Sequence, residues 1–227
     1  MQNKRSLSLG TYLGYGIGSV GTGIFSTVPG LLLLSFMVRY LLIPPVVAGI
    51  VIFIPRFWDV ITDPFAGSLS DRTRSRWGAR RPWMLAGSLT LPIVFALLFR
   101  VPEQSGMAAA WYVLFIYILC TTFYTIYQVP YIAMPAEMTE IYDERTTILS
   151  FRIAFLTLGI LLGGAVAPEL VSAGGGGREG YILMGIVIGI ILFLALIGSF
   201  FGTAKLPRVD PVPTTVSIKE QLRAARD

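Results

Sequence analysis

Asp59 and Asp63 stand four residues apart in VIFIPRFWDVITDPFAG, residues 51–67, a stretch that is apolar at both ends. That spacing puts both carboxylates on one face of a helix, and Arg56, three residues before Asp59, falls on nearly the same face. Each ionised acid costs ~2.5–3.5 kcal/mol near a bilayer centre on insertion scales, and two acids one turn apart repel each other as well. Arg56 can act as a charge partner and neutralise one. The second is left for a proton or a small hard cation, with oxygen ligands from the carboxylates and a neighbouring hydroxyl such as Thr62. On this reading the coupling ion is H+ or Na+, since the same acids serve either. A static internal ion pair that fixes helix packing is the competing reading.

A second polar group lies in TFYTIYQVPYIAMP, where helical spacing places Tyr124, Thr125, Gln128 and Tyr131 on one side. Arg152 is a further charge inside an apolar run. Amide and guanidinium groups bind hydroxyls and aromatic rings stack on sugar faces, so this set suits a neutral polyol. Hydrogen bonding between helices is the alternative use of such residues.

The elements that position these groups are membrane spans. The chain has 227 residues, 54% hydrophobic and 14% charged, with a mean hydropathy of +0.70, where a soluble domain carries about 25% charged residues. Six apolar runs of about 20 residues or more fall at 7–38, 46–70, 82–100, 108–137, 148–171 and 181–203. The first is longer than a signal-peptide core and lacks a small-residue cleavage site, so it reads as a retained span. The expected organisation is a six-helix transmembrane bundle over 1–204 and a cytoplasmic tail over 205–227. A short amphipathic helix in that tail would be capped by Ser217 with Glu220 at its third helical position. Arg39, Arg100 and Arg178 fall on one side of the bundle and the other Lys and Arg outside the spans fall on the opposite side, which puts both termini in the cytoplasm of a cell membrane.

Composition also excludes. The chain has no His and a single Cys, so it has no His base, no His- or Cys-cluster metal site and no internal disulfide. Enzyme chemistry, a cofactor and any metal beyond Na+ are not expected. The net charge of +5 sits at membrane edges and does not point to nucleic acid. Small residues spaced by four (Gly10, Gly14, Gly18; Gly159, Gly163; Gly185, Gly189) are expected to pack helices within one subunit.

Residues 55–87, PRFWDVITDPFAGSLSDRTRSRWGARRPWMLAG, resemble the signature of the glycoside–pentoside–hexuronide:cation symporters, the melibiose-permease-like group of the major facilitator superfamily. FYTIYQVPYIAMPAEMT is similar to that family's fourth helix and GYGIGSVGTGIF, less closely, to its first. The likeness covers the amino-terminal half of a family member. It implies that Asp59 and Asp63 are cation-site carboxylates with Thr62 and Thr125 nearby, and that Arg152 contacts sugar. It also implies that Gly67, Asp71, Arg72, Gly78, Arg80 and Arg81 form a stretched version of the loop that locks the cytoplasmic side. Two departures weigh against galactoside specificity: Gly23 and Gln128 occupy the positions of sugar-binding acids, and Ile132 replaces a tryptophan. Superfamily members pair two six-helix halves. The leading expectation is therefore a half-size, cation-coupled sugar symporter. It would work by alternating access as a parallel homodimer, whose symmetric cavity would suit a symmetric disaccharide. The alternatives are the inactive amino half of a longer symporter and a non-transporting membrane sugar sensor or assembly subunit.

Overall fold

The computed structural model describes residues 7–102 and 105–204; the expected tail helix lies outside them. Helix α1 (Leu9–Val28) runs through a π-helical turn (Pro29–Leu33) into α2 (Leu34–Arg39), and together they form the first span. There follow α3 (Pro45–Arg72), α4 (Arg81–Phe99), α5 (Gly106–Ala133) with its short continuation α6 (Pro135–Met138), α7 (Tyr142–Ala173) and α8 (Arg178–Gly202). Among the described residues there are no strands, and six helical spans are long and apolar enough to cross a membrane. The expected all-α, six-span architecture is what the chain adopts.

Local chemistry explains the irregular points. Pro29 has no N–H to give to the carbonyl one turn back, and the wider π turn absorbs the break. Pro45 and Pro135 open α3 and α6, where a missing N–H costs nothing. Helix α7 begins six residues before the expected run at 148, because Asp143 and Glu144 favour its N-terminus electrostatically although they lie outside the apolar stretch.

Helix α1 is the central element, packed chiefly on α7 and α8; α4 packs on α5 and α8, and α3 is carried mainly by α5. Glycines set the close crossings. A Cβ on Gly159 would collide with the Val20 carbonyl oxygen, one on Gly14 would lie 2.6 Å from the Gly202 Cα, and one on Gly189 would lie 3.0 Å from the Pro92 carbonyl oxygen. These glycines pack helices within the chain, as expected; Gly10 approaches no other helix. Fully buried Tyr15, Phe36, Phe95, Phe99, Tyr127 and Tyr131 fill the centre. Helices α3 and α7 bury the smallest share of their apolar windows and therefore stand at the bundle's rim.

Candidate functional site on the α3–α5 seam

Spans alternate in direction, so α3 and α5, separated by one span, run the same way. Their polar residues consequently meet in register. Thr125 Oγ1 donates a 2.8 Å hydrogen bond to Asp63 Oδ1, and one turn earlier Thr121 faces Asp59. Asp59 Oδ1 is buried and accepts no hydrogen bond. Arg56 lies in electrostatic range of Asp59 but forms no ion pair among the described residues. Asp63 is thus held by a hydroxyl, and neither acid is closed off by the chain's own arginine.

The neighbouring polar face comes from α5 and α7. The Tyr124 hydroxyl lies in the combined field of Arg56, Arg152, Asp59 and Asp63, and its ring stacks on Phe25 of α1 at 4.4 Å. Arg152 is half-buried and has neither hydrogen bond nor ion pair among the described residues. Gln128 Oε1 is buried and unpartnered. An acceptor amide, a free guanidinium and a phenol beside two acids can together hold a hydroxylated solute next to a cation.

Three of the expected site residues are placed elsewhere. Tyr131 is fully buried between α1 and α5. Its hydroxyl donates to the Tyr15 carbonyl at 2.8 Å, Tyr15 donates back to the Tyr131 carbonyl at 3.1 Å, and Ser19 Oγ lies 2.7 Å from the Tyr131 hydroxyl. Buried phenols need partners, and here the backbone and a serine supply them. Gly23 does not reach the polar face either: a Cβ there would lie 2.5 Å from the Leu156 carbonyl oxygen, so the position is a helix crossing. The Thr62 hydroxyl turns back on its own helix and donates to the Trp58 carbonyl at 3.0 Å. Conversely, Thr121 escaped the sequence reading, although its four-residue spacing from Thr125 repeats that of Asp59 and Asp63. Trp58 Nε1 donates to Thr122 Oγ1 at 2.8 Å and ties the same two helices together.

At one end of the bundle the expected loop residues divide into separate jobs. Arg80 bridges Asp71 at 3.2 Å and also pairs with Glu137. Arg81 donates to the Phe200 carbonyl at 3.0 Å and lies over the Phe200 ring. Gly78 turns the loop at φ +94°, a Cβ on Gly67 would lie 3.6 Å from Val129, and Arg72 is exposed without a partner among the described residues.

Comparison with known proteins decides the family. The family described as MFS/sugar transport protein matches residues 14–226. The chain belongs to it. It is 34% identical to the inner membrane symporter YicJ of Escherichia coli over 96% of this chain and 47% of that protein. It is 34% identical to the putative glycoside/cation symporter YagG of the same organism, over 88% and 44%. It is 30% identical to the sodium-dependent lysophosphatidylcholine symporter 1-B of Danio rerio, over 75% and 32%. The chain spans about half, or less, of the length of these relatives. It is a multi-pass membrane protein of the major facilitator superfamily, and its relatives are transporters, not enzymes.

Proposed function

We propose that this chain forms the cation-binding six-helix half of a sugar symporter. Asp59 and Asp63 take up and release H+ or Na+, with Thr121 and Thr125 orienting them, while Gln128, Tyr124 and Arg152 hold the sugar. The single observation that carries the reading is the open valence of the seam: one carboxylate oxygen of Asp59 is buried without a donor while Arg56 stays out of ion-pair range. Buried charge left unpaired by the protein is stabilised by a ligand that comes and goes. Bound cation offsets the acids' repulsion and lowers the cost of closing around sugar, which couples the two. A second six-helix unit must face the seam to enclose the sugar and to rock against it. In the arrangement expected from sequence that unit is a second copy in parallel orientation, with both termini cytoplasmic, and a symmetric disaccharide fits such a cavity. The loop bearing Asp71, Arg80 and Arg81 closes the cytoplasmic side between the units.

The test is reconstitution of the purified chain in liposomes, with proton and sodium gradients imposed separately and glycoside uptake followed. Uptake driven by one gradient and lost in Asp59→Asn supports the reading. Ion-binding calorimetry that detects no exchangeable ion on the folded chain at any pH sinks it. Molecular mass in detergent then decides between a second copy and a different partner unit.

A further inference from the structure

The loop between α3 and α4 carries more arginine than its ion pairs use. Arg80 is committed to Asp71 and Glu137, and Arg81 to the end of α8. Arg72, Arg74 and Arg76 are exposed and have neither hydrogen bond nor ion pair among the described residues. The residues between them are the ones the loop uses to hold its own shape. Thr73 Oγ1 accepts from Trp83 Nε1 at 2.8 Å. Ser75 Oγ accepts from the Trp77 amide at 3.0 Å and donates to the Gly78 carbonyl at 3.0 Å. Thr73 and Ser75 are thus spent on bonds within and beside the loop, while the three exposed guanidiniums make none among the described residues.

The same loop contains a marker of depth. Trp77 is partly exposed and meets Phe200 of α8 edge-on at 5.9 Å, next to exposed Phe201. Tryptophans collect at headgroup level, and this one, in the loop, packs near the end of the apolar helix α8. The Arg76 guanidinium lies over that ring at 5.2 Å, which holds a positive charge against the tryptophan. We infer that Arg72, Arg74 and Arg76, on the loop that carries Trp77, form a binding site for the phosphate of an anionic membrane lipid. The source is the lipid and not a soluble phosphate, because the charges adjoin apolar rings at the bilayer edge. The site stands whether or not Asp59 and Asp63 take a cation.

The experiment places the full chain in phosphatidylcholine bilayers and measures association of spin-labelled phosphatidylglycerol against spin-labelled phosphatidylcholine. Wild-type chain should prefer the anionic lipid several-fold. Arg74→Gln with Arg76→Gln should bring that preference close to none, since each basic side chain near the surface contributes up to roughly fivefold. The corresponding lysine pair should retain most of it, and Arg39→Gln, at the other end of the bundle, should leave it intact. Absence of any preference in the wild type, or an unchanged preference in the glutamine pair, overturns the site. So does displacement of the labelled lipid by millimolar glycerol 3-phosphate, which would make a soluble phosphate the ligand. A glutamine pair that keeps its lipid preference but loses association with a second six-helix unit would assign these arginines to a protein contact instead.

Discussion

The two charged clusters of this chain are built on opposite plans. At the bundle's end, Arg80 is satisfied twice over, by Asp71 and by Glu137. Within the spans, Asp59, Asp63, Arg56 and Arg152 share one neighbourhood and form no ion pair with each other. Water at the membrane edge could have solvated the first group, yet the protein closed it. The second group lies within the apolar spans, with Asp63 and Arg56 exposed and Asp59 and Arg152 half-buried, and the protein left it open. The contrast is one of use: a closed pair fixes geometry, and on the proposed function the open set is completed by an ion that moves.

Breaking the open set should have the largest effect. Asp59→Asn or Asp63→Asn is expected to abolish concentrative uptake in liposomes while the chain stays folded by size exclusion; wild-type accumulation in both variants would mean that the acids are not coupled. Next comes an acid placed where the bundle has no room. Gly23→Asp should fail to give monodisperse protein, because its Cβ falls 2.5 Å from the α7 backbone, and overpacking of this kind costs about 1–3 kcal/mol or more before the charge is counted. A folded Gly23→Asp with tighter sugar binding would restore that position to the site. Arg152→Ala should weaken sugar affinity about tenfold or more, in line with loss of a charged hydrogen bond, and leave cation affinity nearly unchanged. Thr125→Val removes the donor to Asp63 and should lower cation affinity by about tenfold, read by calorimetry. Smallest is Arg80→Gln: a drop of a few degrees in Tm, with no change in ion affinity at the seam. An ion affinity that moved with Arg80 would join the two clusters into one network.

Much of the candidate site was legible along the chain. The i, i+4 spacing of Asp59 and Asp63 is local, and so is the helical grouping of Tyr124, Thr125 and Gln128. The pairing of Thr125 with Asp63 needed the resemblance to a known family, because the two residues are 62 positions apart. The structure gives Tyr131 partners that its spacing alone does not show. Helical spacing shows which residues share a side but not what lies opposite, and opposite Tyr131 lie Tyr15 and Ser19 of α1. The close helix crossing at Gly23 is likewise hidden from the sequence, because alignment to an acid says nothing about the room for a side chain. The acidic start of α7 was missed because hydropathy marks the apolar run and not the helix.

By itself the sequence determined the class of the protein and its six spans. It also marked the acids whose burial demands a partner. All of these follow from transfer energies and helical period, which act on residues near one another in the chain. Only the tertiary structure decided which hydroxyls reach those acids, that Arg56 leaves them unpaired, and which tyrosines are packing and which line the seam. Those outcomes depend on how closely helices far apart in sequence approach, and glycines at a few crossings set that distance.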